Sequence, residues 1–308
     1  MQKDKKGNRF AERVGWRSNY PLSVLRVTGE DATEFLQGQF SQDIRRVGVR
    51  GGAHYGFWLN RKGRVEGDAI IVRGEETCCR IFSWSLQADA IRQRLESFLV
   101  ADDVELMDET SEWQGWQLAG PHLASWFEDQ EKSKRESSLE GALVWPEPIP
   151  LEPESFVVVS RSTLAWPSEW EQSEGMIFER LRIGAGRAQV PVDLGPDDMP
   201  QEAGLDQVGV SFRKGCYLGQ EVMARVQNTG RIRRRLVKVF GSGVVSHDSA
   251  PIELWQGQNK IGTLRSRMLV GSGGWIGLAM VNVSSTNFEE PAFLENSDGP
   301  ELAFAVSP

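Results

Sequence analysis

What most limits the folds open to this chain is a change of hydrophobic period near Gly230. Downstream of it, four short strand-like runs follow one another: Arg231–Phe240, Ile252–Trp255, Lys260–Ser266 and Trp275–Val281. Gly, Ser and Asn separate them, and Gly271-Ser-Gly-Gly274 reads as a hairpin turn. That spacing predicts a small antiparallel barrel or sandwich. Upstream, runs with a period of two alternate with helical stripes, so the larger part is mixed α and β. A length of 308 residues also exceeds what one core supports, and the boundary is placed near 230–235.

Within the upstream part, residues 1–20 read as a poorly ordered start. Strands are expected at Leu22–Val27, Ala53–Leu59, Val65–Val72 and Cys78–Trp84, then near Val104–Met107, Trp113–Leu118, Ala142–Trp145 and Ser155–Val159. Helices are expected over Gly29–Leu36, Leu86–Val100, Met176–Ile183 and about Tyr217–Gln227. Asp129–Ser138 is charged enough to be a surface loop or helix end. Val190–Pro200 is rich in Pro, Gly and Asp and reads as a loop.

Composition excludes several function classes. A formal charge of −8 argues against coating nucleic acid or anionic membrane. Three cysteines make no disulfide scaffold. The charged N-terminus has no apolar segment after it, and no stretch is long enough to span a bilayer, so the expectation is a soluble cytoplasmic protein with reduced thiols. The histidines His54, His122 and His247 lack ligand spacing, and no hydrolase or zinc motif is present. Cys78 and Cys79 fall on a strand, which sends them to opposite faces as packing residues.

The third cysteine sits in Val210-Ser-Phe-Arg-Lys-Gly-Cys-Tyr-Leu-Gly-Gln-Glu-Val-Met-Ala-Arg225. Lys214 precedes it and a helix start follows, and both favour a thiolate. Gly215 and Gly219 permit close backbone approach. Glu221 and Arg225 stand at i, i+4 and can pair on one helix face. A buried structural cysteine beside an ordinary helical ion pair accounts for the same residues, and the physics alone leaves both open.

The octapeptide Lys214-Gly-Cys-Tyr-Leu-Gly-Gln-Glu221, with Arg225 after it, resembles the signature of the YgfZ family of folate-binding proteins. That family is related to the T-protein of the glycine cleavage system, an aminomethyltransferase. Three upstream blocks resemble the family in the same order: Gly29–Ile44 with its Phe-Leu-Gln-Gly-Gln core, the Asn60-Arg-Lys-Gly-Arg64 turn before Asp68, and Leu181–Gly186 with Pro200 and Glu202. The resemblance covers about residues 22–235. It implies an α+β, three-lobed T-protein-like fold. Two intertwined α+β subdomains (residues 21–232) would surround a central channel, and residues 233–308 would form the C-terminal β-barrel.

The resemblance further implies tetrahydrofolate, or a derivative, as ligand, and a role in assembling or maintaining iron–sulfur enzymes, including those that modify tRNA. On it, Cys216 and Lys214 carry the chemistry, with Asp68 as a tentative third. Gln39, Asp43, Asn60, Asp68, Arg182, Tyr217, Gln220, Glu221 and Arg225 are the folate-contact candidates. Two positions depart from the T-protein pattern. Its acidic pair is reduced here to Gly67-Asp68, and its pterin-contacting glutamate is Gly184. The second departure removes an acceptor for paired pterin N–H groups.

Three functional readings follow. The first is a folate-binding accessory protein acting on iron–sulfur clients through Cys216. The second is a folate-dependent aminomethyl or one-carbon transferase using Asp68. The third is a non-catalytic scaffold. One thiol does not hold a cluster alone, so no permanently bound metal is expected. Expected partners are folate and iron–sulfur client or assembly proteins, without membrane or general nucleic-acid binding. The segment Arg213–Lys238 carries +7, leaving −15 for the remainder, which makes it a local attractor for an anion such as a folate glutamate tail.

Overall fold

The computed structural model describes residues 13–45, 52–74, 77–132, 139–148, 154–243, 251–271 and 273–305. Sixteen strands and six α-helices are named here in chain order. The first sheet in space starts with β1 (Gly15–Ser18) and is then interrupted. The chain leaves it to build a second sheet from β2 (Ser23–Thr28), β3 (Ala53–Leu59), β4 (Val65–Arg73), β5 (Cys78–Ser83) and β6 (Glu105–Asp108). It carries α1 (Ala32–Gln39) and α2 (Ala88–Glu96). The chain then returns to the first sheet with β7 (Gln114–Ala119), α3 (Leu123–Lys132), β8 (Leu143–Pro146), β9 (Ser155–Ser160) and β10 (Glu171–Gln172). The strand orders are β10-β1-β7-β9-β8 and β3-β4-β5-β2-β6.

Alternation along the strands explains the layering. Trp116 and Leu118 of β7, with Phe156 and Val158 of β9, point outward onto Leu123 and Phe127 of α3. On the second sheet, Leu25, Val27, Ile71 and Ile81 point outward onto Leu36 of α1 and Ile91 and Leu95 of α2. The opposite faces meet. Val24, Ile70, Val72 and Phe82 pack against Trp113, Trp145, Val157 and Val159. Phe82 lies edge-on to Trp113 at 5.1 Å and 5.6 Å from Trp145, the favoured offset arrangements for rings. The result is four layers, helix–sheet–sheet–helix.

A connecting stretch follows: α4 (Gly175–Gly184), α5 (Asp206–Gly209) and α6 (Gln220–Thr229). Its apolar residues, among them Val190, Leu194, Leu205, Val210 and Met223, fill the space between Phe57, Leu59 and Val65 of the second sheet and Met280 of the barrel. The barrel itself closes in the order β11-β14-β13-β12-β15-β16. Its strands are β11 (Arg234–Ser242), β12 (Ile252–Gln256), β13 (Asn259–Val270), β14 (Gly274–Asn282), β15 (Ala292–Leu294) and β16 (Glu301–Phe304). Trp275 fills its interior, at 1% exposure.

Two expectations change here. Residues 15–18 belong to the expected disordered start, yet they form β1 between β7 and β10. Four residues are too few to show a period, and their order comes from pairing with β7, about a hundred positions on. The barrel has two more strands than periodicity showed, β15 and β16, for the same reason. The expected helix Tyr217–Gln227 begins only at Gln220, because Gly219 takes a left-handed conformation, φ 87°, just before it. Of the charged stretch Asp129–Ser138, the first four residues end α3, and 133–138 lie outside the described residues.

Removing the ring between the sheets tests this layering. Phe82→Ala should cost about 3–5 kcal/mol of unfolding free energy in a urea melt, with unchanged far-ultraviolet dichroism before the transition.

Candidate functional site

Between the two sheets, apolar pairs give way to polar ones and a cavity opens to solvent. Tyr55 and Asp68 enter it from β3 and β4. Arg17 and Gln117 enter from the facing sheet, where they are register partners on β1 and β7. Glu147 follows β8, and Arg187 follows α4. Ile70, Trp84, Val157, Phe178 and Val190 supply apolar wall. Pocket walls of this kind, with few convergent polar groups, are typical of small-molecule sites.

The polar groups form a chain. Arg17 Nε donates to Gln117 Oε1 at 2.8 Å, and Gln117 Nε2 donates to Glu147 Oε1 at 2.5 Å. Glu147, 3% exposed, is ion-paired with Arg187. Opposite them, Tyr55 Oη donates to Asp68 Oδ2 at 3.0 Å. Burial raises the Asp68 carboxyl above its usual range, although hydrogen bonds from Ser85 and Tyr55 pull the other way. Burial, then Asp68 itself, pushes the Tyr55 phenol well up. Burial also lowers Arg17, against the pull of Glu147 and Glu179.

Arg182 borders the cavity, but its nitrogens are committed elsewhere. They bind Glu179 and Asp193, the carbonyl of Arg187 at 2.7 Å and Ser266 Oγ of β13 at 2.9 Å. The carboxylates outweigh burial and hold its pKa above the ordinary value. Its geometry is that of a brace between α4, the 187–193 loop and the barrel. Gly184 is exposed with open space around it, and its carbonyl accepts Lys238 Nζ at 3.0 Å. The carboxylates at the cavity come instead from Asp68, Glu147 and Glu179. A Cβ at Gly67 would lie 2.3 Å from Leu86 Cδ1, so a side chain there would require that leucine to shift.

The cysteine motif lies outside this cavity. Cys216 is exposed. Lys214 does not face it. Its side chain runs inward, 7% exposed, and the ammonium donates to the carbonyls of Gln37 (2.7 Å), Phe40 (2.5 Å) and Gln42 (2.9 Å). It also stands 4.9 Å from the Tyr217 ring centroid. The expectation that Lys214 and a helix terminus stabilise the thiolate is therefore corrected. Lys214 caps the negative end of α1, and Cys216 precedes the first residue of α6 by four positions. Burial brings Lys214 down to about 7, against the pull of Asp43. Three carbonyl acceptors oppose that loss of charge, since a neutral amine has only two protons to give.

The other candidates divide by location. Asp43 accepts Gln37 Nε2 at 2.8 Å. Burial alone would raise it, but that bond and those from Arg45 hold its pKa down. Gln39 ends α1 with its Oε1 buried and unpaired. Asn60 closes the β3–β4 turn, accepting from Lys62 and Arg64, and its carbonyl backs Gly219. Tyr217 is buried, which raises its phenol. Glu221 and Arg225 are exposed on α6, where Gln220 is the first helical residue, and form no ion pair among the described residues. An exposed i, i+4 pair gains only about 0.3–0.5 kcal/mol, too little to fix two long side chains. The basic stretch is dispersed as well. Arg234 binds Glu202 and Asp198, and none of the eight basic residues lines the cavity. Its reading as a seat for a folate tail is corrected on that ground.

Of the predicted residues, then, only Asp68 and Arg182 line the cavity. Arg17, Tyr55, Gln117, Glu147 and Arg187 were not foreseen. Arg17 lay in the segment read as disordered. The signal that could have found it is the Trp16-Arg17-Ser18 alternation, too short to trust alone.

Residues 8–136 match the GCVT N-terminal domain. The chain is 28% identical over 260 residues to the mitochondrial iron–sulfur cluster assembly factor IBA57 homolog of Neosartorya fischeri, covering 74% of this chain and 57% of that protein. The IBA57 homolog of Mycosarcoma maydis is 26% identical over 236 residues, covering 70% and 54%. The chain thus spans little more than half the length of these relatives. In structure it is similar to glycine cleavage system aminomethyltransferase T from Bartonella henselae, with a TM-score of 0.75 at 19% identity, over 99% of this chain and 88% of that one. The fold is therefore aminomethyltransferase-like, mixed α+β with a closed six-stranded C-terminal barrel. The expectation of a cytoplasmic protein is overturned, because these relatives are named as mitochondrial.

Two measurements check the site. Asp68 is raised in the folded state, so wild type carries the full cost of its buried charge above that raised value. The cost vanishes below the ordinary value of 3.8. Asp68→Asn should therefore raise the melting temperature at pH 7, with the gain fading as pH falls toward 3.8. Lys214→Met should loosen the cysteine turn. Hydrogen bonds from a charged donor contribute about 1.5–3 kcal/mol, so exchange of the Leu218 amide, which bonds Gly38 O at 3.3 Å, should quicken roughly 10- to 100-fold.

Proposed function

We propose that this protein is a folate-binding accessory factor in the assembly or maintenance of iron–sulfur proteins, tRNA-modifying enzymes among its clients. The cavity would hold the folate and Cys216 would meet the partner. The observation that carries the reading is the separation of these two features: a solvent-open cavity with polar and apolar walls that the motif cysteine does not line, and a thiol held exposed on a braced turn. An internal catalytic thiol would belong inside the cavity, whereas a thiol meant for another protein belongs outside it. The names of the IBA57 relatives support the iron–sulfur part, and the GCVT match supports the folate part.

The residues present suit a reduced pterin. Trp84 and Phe178 offer flat apolar wall. Asp68 and Tyr55 offer an acceptor and a hydroxyl at one edge. Asp68, buried and raised, would take the amino and ring N–H groups of the pterin. Bound folate would supply a one-carbon carrier. This chain's own part is to exclude water, orient the ring and accept its N–H groups at the Asp68 carboxyl.

One observation favours a second reading, a folate-dependent one-carbon transferase. Asp68 is a cavity carboxyl with a raised pKa, the property of a general acid or base. The lack of a second acid beside it on β4, where the T-protein pattern has a pair, makes this the lesser reading.

Calorimetric titration with tetrahydrofolate, as monoglutamate and polyglutamate, tests the ligand; saturable binding is expected, and absence of both removes the folate part. Cys216→Ala in cells should lower the activity of an iron–sulfur tRNA-modifying enzyme at normal protein level while leaving folate binding intact. Normal activity would remove the role of the thiol. Methylene-tetrahydrofolate formed by wild type and lost in Asp68→Asn would raise the transferase reading above the first.

A further inference from the structure

One cation of the cavity has no direct ion-pair partner. Arg187 is matched by Glu147, and Arg182 by Glu179 and Asp193. Asp68, on the facing sheet, is engaged by the Tyr55 hydroxyl and forms no ion pair with Arg17. Arg17 remains. Its Nε is fixed on Gln117, and Gln117 spans the gap to Glu147, so that carboxylate does not reach it. Among the described residues no carboxylate lies within ion-pair distance of Arg17. Its Nη groups have no hydrogen-bond partner and are not sealed from the cavity.

The guanidinium is also held in place. It lies 5.0 Å from the Phe178 ring centroid, and Nη1 lies 3.3 Å from where a Cβ on Gly175 would stand. The glycine leaves room for it. A planar fork with free N–H donors, oriented by a glutamine and backed by a ring, matches a carboxylate in two parallel bonds. The guanidinium is half-buried, so a carboxylate arriving there would meet free donors in a partly desolvated site.

We propose that Arg17 recognises a carboxylate carried by the ligand of this cavity, on the sheet that faces Asp68. The inference rests on the cavity being the ligand site and deepens that reading: the ligand is a heterocycle bearing an acid group, and the acid enters the cavity. It assigns the folate glutamate tail to Arg17 on β1, away from the basic stretch Arg213–Lys238.

Binding to the full chain tests it, with three probes: tetrahydrofolate, p-aminobenzoylglutamate, and tetrahydrobiopterin, a pterin with no carboxylate. Arg17→Met should weaken tetrahydrofolate about 10- to 100-fold, and Arg17→Lys should restore part of that. Tetrahydrobiopterin should bind wild type and Arg17→Met alike, which also shows that the variant is folded. Unchanged tetrahydrofolate affinity in Arg17→Met overturns the proposal, and so does an equal loss for both pterins. Should the variants fail to fold, the diester of tetrahydrofolate on wild type decides: weakened binding supports it, equal binding overturns it. If wild type binds no pterin, the folate reading falls by itself. Binding of p-aminobenzoylglutamate that Arg17→Met abolishes would still uphold the carboxylate site, and no binding of either carboxylate probe would end both.

Discussion

One guanidinium ties the parts of this molecule together. Arg182, on the last turn of α4, binds the buried Asp193, its helical neighbour Glu179, the carbonyl of Arg187 and Ser266 of the barrel. Asp193 is fully buried. Such a pair is not a large net source of stability, because desolvating both charges offsets their attraction. Its effect is geometric. It fixes the loop from Arg187 to Asp193, which forms one wall of the cavity through Arg187, Ala188, Gln189 and Val190. It also fixes the barrel relative to that wall. The cavity wall and the barrel thus share one brace.

The fold was legible in the sequence wherever a period ran long enough. β3 was placed to the residue and β4, β5 and β9 to within one, because each is a run of strand length that carries β-branched or aromatic residues. The site was far less legible. Its polar groups sit where periodicity carries no information: on a four-residue strand (Arg17), beyond a strand end (Glu147) and after a helix stop (Arg187). Lys214 shows a second limit. Its place beside Cys216 in the chain suggested a partner for the thiol, but a long side chain is directed by its acceptors, and those lie at the end of α1 and just past it. The Gly67 and Gly184 departures from the T-protein pattern were visible in the sequence. Their surroundings were not: one position lies against Leu86, and the other lies open away from the cavity.

The β3–β4 hairpin links the two functional regions. Near its middle, Tyr55 and Asp68 line the cavity; at its turn, Asn60 and Gly63 rest against Gly219 and Val222, beside the cysteine segment. The hairpin is paired along its length, so the cavity and the thiol share one rigid member while facing different surroundings. A small ligand and a protein partner would therefore not compete for space.

The interrupted first sheet also sets an order on biosynthesis. β1 carries Arg17, but its neighbours β7 and β10 emerge from the ribosome only after the whole second sheet. The N-terminal strand must wait unpaired while about a hundred residues are translated. For the same reason the segment that matches the GCVT N-terminal domain, ending at residue 136, is not a natural cutting unit. It would keep β1 and β7 and discard β8, β9 and β10, leaving a two-stranded ribbon that water would take apart.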